Sequence, residues 1–173
     1  MAAGPMGLVL MLPPLVMSLL APWAGALSDR LGYGRLTAAG MALRALSLAA
    51  LWTLEPATPF PLVIVSLALL GAGSAVFNPP NTSSIMGSVP PHSLGVAGGV
   101  AAVARNLGMV LGISLGGATF SAAFRGAGGT ALGQYSPELA GAFTAGWRAA
   151  MAVGFGACVL GLVVSVSRGS RRQ

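Results

Sequence analysis

Long apolar runs separated by short polar segments organise this chain of 173 residues. A helix that crosses the hydrocarbon core of a bilayer needs about 20 predominantly apolar residues. Five runs reach this length, so the pattern predicts an all-α, polytopic membrane helix bundle with about five transmembrane helices. The predicted spans are 5–27, 36–54, 60–86, 95–124 and 147–167, and they form a single transmembrane domain over residues 1–173.

Two adjacent prolines interrupt the third predicted span. Pro79 and Pro80 lie between Asn78 and Asn81, and each proline removes one backbone hydrogen-bond donor. This arrangement predicts a break in the helix, because freed carbonyls are tolerated at membrane depth where they are buried in protein or line water. We therefore expect Asn78 and Asn81 to form part of a cavity wall.

The composition excludes a soluble domain with a charged surface. Apolar residues make up 55% of the chain and charged residues 7%, whereas soluble domains carry about 25% charge. The formal net charge is +6, but a nucleic-acid partner requires the arginines to form a basic face. Here they lie singly at the ends of apolar runs or inside them, so the predicted partner is the lipid bilayer and not a nucleic acid.

The arginines also predict the orientation of the chain, because cytoplasmic loops carry an excess of Lys and Arg. Arg30 and Arg35 separate the first two spans, and the tail contains Arg168, Arg171 and Arg172. We expect segment 28–35 and the C-terminal tail to be cytoplasmic, in a multi-pass protein of the cell (plasma or inner) membrane.

The segment from Gly25 to Arg35 carries a recognisable motif, Gly-Ala-Leu-Ser-Asp-Arg-Leu-Gly-Tyr-Gly-Arg. It resembles the signature between the second and third helices of major facilitator transporters, which recurs in degraded form in their second half. The matching residues are Gly25, Asp29, Arg30, Gly32 and Arg35. The resemblance implies a gating loop, and an ordinary positive-inside loop is the alternative.

Two further stretches narrow the resemblance. Residues 77–90 and 95–108 are similar to the C-terminal half of the fourteen-helix drug:proton antiporter branch, although residues 91–94 depart from the pattern. The five spans would then be helices ten to fourteen of an incomplete fold. The resemblance implies efflux of a small amphipathic organic substrate, a proton as coupling ion, and a missing N-terminal helical bundle or another membrane subunit as partner. The alternative is a truncated, non-transporting membrane protein that acts only as a structural or interaction partner.

Two arginines, Arg44 and Arg105, lie inside predicted spans. Placing an arginine at the bilayer centre costs about 2.5–3.5 kcal/mol on insertion scales, so each should face a cavity or a partner. The alternative is that either side chain snorkels to the interface. With Asn78, Asn81 and Asn106, these arginines are the candidate residues for a substrate cavity. The three acids, Asp29, Glu55 and Glu138, are all predicted in loops, so the spans offer no carboxylate for proton coupling.

Small residues in the fourth span predict a helix-packing surface. Gly108, Gly112 and Gly116 are spaced by four and share one helix face, which permits close approach of a second helix. In a transporter this face could tighten and loosen during rocking, and static packing is the alternative.

The sequence offers no support for an enzyme. Residues 112–116 match Gly-x-Ser-x-Gly, but that motif requires a strand–turn–helix context and here lies in a helical run. Neither a P-loop nor a metal-ligand spacing is present, so we expect no cofactor, metal or catalytic residue. The lone Cys158 excludes an internal disulfide framework.

Overall fold

A computed structural model describes residues 3–129 and 139–169, and these residues form helices without strands. The α-helices are α1 (Ala3–Leu10), α2 (Leu12–Leu31), α3 (Tyr33–Trp52), α4 (Phe60–Met86), α5 (Leu94–Gly126) and α6 (Ala140–Gly169), with a 3₁₀ turn at Pro91–Ser93. The predicted all-α membrane bundle is therefore confirmed.

Length and hydropathy allow four segments among the described residues to cross a membrane: Gly7–Ser28, Phe60–Met86, Pro91–Gly126 and Ala140–Ser167. Helix α3 has 20 residues, enough for a fifth crossing, but carries Arg44 in its middle. The predicted bounds of α4 agree with the structure. Helix α6 begins before the predicted span, at Ala140, and part of the expected loop over residues 125–146 is therefore helical.

The motif segment 28–35 is not an extended turn. Helix α2 continues through Asp29 and Arg30 to Leu31, and α3 begins at Tyr33, so Gly32 alone connects the two helices. Gly32 has φ +83° and ψ 146°, a conformation that favours glycine, and its N–H donates to the Ser28 carbonyl at 3.0 Å. This single residue is enough to reverse the chain, which makes a longer loop unnecessary.

The predicted break at Pro79 and Pro80 is wrong, because α4 is one continuous helix. Two prolines remove only two N–H donors, and the remaining backbone groups keep their helical hydrogen bonds, whose loss in a membrane would cost several kcal/mol each. Pro80 is fully buried, so the surrounding helices enclose its ring. The Thr82 hydroxyl also donates to the Asn78 carbonyl at 3.0 Å, within the same stretch.

Helix α4 is the centre of the bundle and packs against both α2 and α3, while α2 touches α3 only lightly. Glycines permit the close approaches. A Cβ at Gly71 would lie 2.5 Å from the Pro13 carbonyl oxygen of α2, and one at Gly40 of α3 would lie 2.7 Å from the Phe77 nitrogen. The Ser47 hydroxyl donates to the Ser66 carbonyl at 2.7 Å between α3 and α4.

Helix α6 packs antiparallel to α3 on the side away from α2, and hydrogen bonds connect both ends of the pair. Near Gly32, which we call the Gly32 end, the hydroxyls of Thr37 and Ser165 lie 2.9 Å apart. At the opposite end, the Glu55 end, the Trp147 indole N–H donates to the Leu51 carbonyl at 2.7 Å. Arg148 also pairs with Glu55 there, with a distance of 2.9 Å between Nη2 and Oε1.

These two contacts at the Glu55 end should contribute different amounts to the free energy of unfolding. Replacing Trp147 with phenylalanine should lower the free energy of unfolding by about 0.5–1.5 kcal/mol for the lost hydrogen bond alone. Glu55→Gln should cost less than about 1 kcal/mol, because Glu55 and Arg148 are 62% and 45% exposed and water screens the pair. Unfolding of the chain in mixed micelles with rising SDS fraction would measure both. A larger loss for Glu55→Gln than for Trp147→Phe would contradict this ranking.

Candidate substrate cavity

Helix α5 is held to the bundle mainly through an aromatic cluster at the Glu55 end. The rings of Phe120 and Phe143 meet edge to face with centroids 5.4 Å apart, and Phe124 stacks on Phe120 at 5.9 Å. Gly146 of α6 allows this contact, since a Cβ there would lie 2.9 Å from the Phe120 ring. The cluster joins α5 to α6, whereas α5 contacts α4 only lightly.

The light contact between α5 and α4 leaves a space beside α2. Most residues of α5 from Gly95 to Leu115 are exposed. The resulting cavity has a volume of about 480 Å³ and is largely open to its surroundings. It is lined by Met17 of α2, Arg105 of α5 and a stretch of α4 comprising Asn78, Pro79, Thr82 and Ser83.

The α4 wall of the cavity follows from helical periodicity. Positions 78, 79, 82 and 83 are related as i, i+1, i+4 and i+5, and such positions share one face of a helix. The Asn78 amide Nδ2 lies 3.7 Å from the Met17 sulfur, and a thioether is a weak acceptor. The amide therefore has donor capacity left for a better acceptor inside the cavity.

Arg105 provides the positive charge of this site. Its side chain is exposed in α5, and no described residue forms a hydrogen bond or an ion pair with its guanidinium. The structure thus brings together two of the five candidate cavity residues, Asn78 and Arg105. Their part in substrate binding stays a prediction.

Arg44 faces a different region of the bundle. Its guanidinium carbon lies 5.7 Å from the centroid of the Phe77 ring, and its Cγ fills the space above Gly73. Arg44 Nε is buried and finds no hydrogen-bond partner among residues 3–129 and 139–169. Arg44 does not line the cavity, so the structure places the two intramembrane arginines in different environments.

The other predicted site residues lie away from the cavity. Asn81 and Asn106 do not line it, although each is near a residue that does. Nothing described lies within 4 Å of a Cβ at Gly108, Gly112 or Gly116, so a packing role for this stripe needs a partner from outside these residues and stays a prediction.

The motif residues cluster at the Gly32 end. Arg30 and Arg35 are exposed, a Cβ at Gly25 would meet nothing within 4 Å, and the side chain of Asp29 falls outside the described part of the chain. Their gating role also stays a prediction.

Sequence reasoning missed three residues of the cavity, Met17, Thr82 and Ser83. The polar positions at i+4 and i+5 after Asn78 were a usable signal for the two hydroxyl residues, because they extend one helix face. Met17 carried no such signal, since it lies in an apolar run like its neighbours.

Comparison with known proteins identifies the family of this chain. A family model described as Major Facilitator Superfamily matches residues 1–172. The chain belongs to the major facilitator superfamily. The resemblance to major facilitator transporters drawn from the motif at 25–35 is therefore confirmed, and the family consists of transporters rather than enzymes.

Several curated transporters are similar to this member of the superfamily. The riboflavin transporter RibZ of Clostridioides difficile is 40% identical over 106 residues, which cover 61% of this chain and 23% of RibZ. The uncharacterized transporter YebQ of Escherichia coli is 38% identical over 110 residues, covering 63% and 24%. The methyl viologen resistance protein SmvA of Salmonella typhimurium is 37% identical over 117 residues, covering 67% and 24%. The chain thus matches about a quarter of the length of these relatives.

Proposed function

We propose that this chain is part of a proton-coupled efflux transporter for small amphipathic organic compounds, working by alternating access. The observation that carries the proposal is the cavity of about 480 Å³ with polar groups from α4 and α5 in an otherwise apolar bundle. Polar and charged side chains inside a membrane are costly, and they mark substrate pathways when they face a cavity.

The cavity lies nearer the Gly32 end of α4 and α5 than the opposite end of these helices. Asn78 lies eight residues before the end of α4 at Met86, and Arg105 lies eleven residues after the start of α5 at Leu94. At 1.5 Å per residue these positions are about 12 and 16 Å from the Gly32 end of their helices. Because α4 and α5, with 27 and 33 residues, are longer than the hydrocarbon core of about 30 Å, both positions lie in the half of the bundle nearer the Gly32 end, from which a substrate would reach them.

The packing of the helices supports a rocking movement. Helices α2, α3 and α4 are interlocked at glycines, whereas α5 is attached mainly at the Glu55 end and exposes the stripe Gly108, Gly112 and Gly116. In the proposed mechanism this bundle moves against a second bundle that contacts α5. Asp29, Arg30 and Gly25 gate the movement from the Gly32 end, which we place in the cytoplasm.

The proposed coupling ion is the proton, by analogy with the drug:proton antiporters that the motifs resemble. Asp29 lies in the last turn of α2, and Glu55 lies in the turn after α3 and pairs with Arg148. Neither is near the middle of a helix. The proton is therefore carried by a group outside the described spans in this proposal.

A second candidate function is that of a non-transporting membrane protein that packs with another membrane subunit. The observation that favours it is the exposed apolar surface of α5, which contacts α4 only lightly. The exposed apolar side chains of α5, including Val96 and Ile113 at 72% and 71% exposure, would form the contact surface.

Dye efflux from cells separates the two functions. An efflux-deficient bacterium that expresses the full chain should accumulate less fluorescein, Nile red or ethidium than cells with an empty vector, and a protonophore should abolish the difference. Asn78→Leu should lower the efflux rate about tenfold, because a lost substrate hydrogen bond costs about 1–1.5 kcal/mol.

Asn106→Leu is the matched control, since Asn106 is the same residue type on α5 and does not line the cavity. Its efflux rate should equal that of the unchanged chain. Equal accumulation of all three dyes with and without the chain would reject transport by this chain and favour the non-transporting protein.

A further inference from the structure

The charge of the cavity narrows the class of substrate, provided that the cavity is the substrate site of the proposed function. Arg105 contributes a full positive charge, and an exposed arginine without a partner in the described chain can form up to five hydrogen bonds. A guanidinium favours a negatively charged partner, with which it forms charge-assisted and often bidentate hydrogen bonds.

The two acidic positions within the described helices and turns lie far along the chain from the cavity. Asp29 is twelve residues after Met17 in α2, which corresponds to about 18 Å along the helix. Glu55 is at the Glu55 end, where Arg148 already pairs with it at 2.9 Å. Among residues 3–129 and 139–169, no acidic residue lines the cavity beside Arg105.

The neutral groups of the cavity offer both donors and acceptors, so they carry no preference for either sign of charge. The Asn78 amide donates only to the weak thioether acceptor of Met17. The Thr82 hydroxyl uses its proton on the Asn78 carbonyl, and the Ser83 hydroxyl forms no hydrogen bond with the described residues. A bound compound would therefore meet the cation of Arg105, an under-used amide donor and several neutral acceptor oxygens, and the guanidinium is the group that discriminates between anions and cations.

We infer that the cavity selects organic anions, that is, drug-sized compounds that carry a carboxylate or a similar negatively charged acceptor group, over organic cations of the same size. In this arrangement the carboxylate binds the Arg105 guanidinium and accepts from the Asn78 amide. The apolar body of the compound rests on Met17 and Pro79, since a thioether packs well against an aromatic ring.

Equilibrium binding of two matched dyes tests this selection without requiring transport. Fluorescein is an anion at neutral pH and rhodamine 123 is a cation, and both share the xanthene ring system. Fluorescence anisotropy would measure each dye with the full chain in phosphatidylcholine nanodiscs, with empty nanodiscs as the blank. We expect fluorescein to bind about tenfold more tightly than rhodamine 123, the scale expected of a hydrogen bond to a charged group.

Substitutions at Arg105 connect the preference to the cavity. Arg105→Gln should weaken fluorescein binding about tenfold, Arg105→Lys should retain most of it, and Arg105→Glu should favour rhodamine 123. Arg125→Gln is the matched control, because Arg125 is an exposed arginine in the last turn of the same helix and does not line the cavity. It should leave both affinities unchanged. Circular dichroism of each variant would verify that the helices are intact.

Several outcomes would overturn the inference: equal or tighter binding of rhodamine 123, no binding of either dye, or fluorescein binding that Arg105→Gln leaves unchanged. These results are distinct from a failure of the proposed function. A chain that binds fluorescein through Arg105 but exports no dye retains the anion selection and refutes transport. A chain that exports ethidium and not fluorescein retains transport and refutes the selection.

Discussion

Replacing Gly40 with alanine is expected to lower the free energy of unfolding by about 1–3 kcal/mol, the usual cost of overpacking a core. The added Cβ would lie 2.7 Å from the Phe77 nitrogen, 2.8 Å from its Cβ and 2.9 Å from its Cα. Two of these three atoms belong to the α4 backbone, so the clash cannot be relieved by a rotamer change. Helices α3 and α4 would have to separate. Both helices contribute buried residues to the core of the bundle, so this separation would loosen the core.

Gly108→Ala is the matched control for this substitution. It brings the same gain in helix propensity, about 0.5–1 kcal/mol, but nothing described lies within 4 Å of the new methyl group. Unfolding of both variants with rising SDS fraction, followed by circular dichroism, should show a loss for Gly40→Ala and no loss for Gly108→Ala. Equal stability of the two variants would mean that α3 and α4 do not approach as closely as the structure shows.

Arg44→Met is expected to raise the free energy of unfolding by about 1 kcal/mol. An arginine at the bilayer centre costs about 2.5–3.5 kcal/mol on insertion scales, whereas its contact with the Phe77 ring returns at most about 2 kcal/mol. The buried Nε adds to the cost because no described group accepts its proton. Methionine keeps the length of the side chain above Gly73 and removes the charge.

Arg44→Lys is the control, because it keeps the charge and should bring no gain in stability. A double-mutant cycle with Phe77→Leu would isolate the ring contact, for which we expect a coupling of about 0.5–2 kcal/mol. A lower free energy of unfolding for Arg44→Met would contradict the prediction, and it would indicate that Arg44 pairs with a group outside the described residues. The same SDS titration serves for the unchanged chain, the three single variants and the double variant.

Hydropathy and length were sufficient to predict the helices, because the bilayer requires a minimum apolar run and backbone hydrogen bonds must be made within each helix. Residues 60–86 illustrate this well, since prediction and structure agree on both ends of α4. The connections were harder. The sequence suggested a turn of eight residues, 28–35, whereas Gly32 alone connects α2 and α3. Local composition did not indicate that one residue is enough to reverse the chain.

The cavity could be predicted only in part, because it depends on how three helices diverge. Asn78 and Arg105 were predicted and line it, but Asn81 and Asn106 do not. Consecutive residues on a helix point about 100° apart, so a neighbour in sequence can face away from the site. Arg44 was also predicted at the cavity, and it faces the Phe77 ring instead. The sequence indicates which side chains have a high free-energy cost in a membrane, and the packing of the helices determines which of them share a site.

The light contact between α2 and α3 has a consequence for biogenesis. Although the two helices are adjacent in sequence, each packs on α4, so they do not form a self-sufficient helical hairpin. A ribosome must therefore synthesise the chain as far as Met86 before α2 meets its packing surface. Until then α2 lacks this packing surface, so its assembly waits for α4 rather than for α3, its neighbour in sequence.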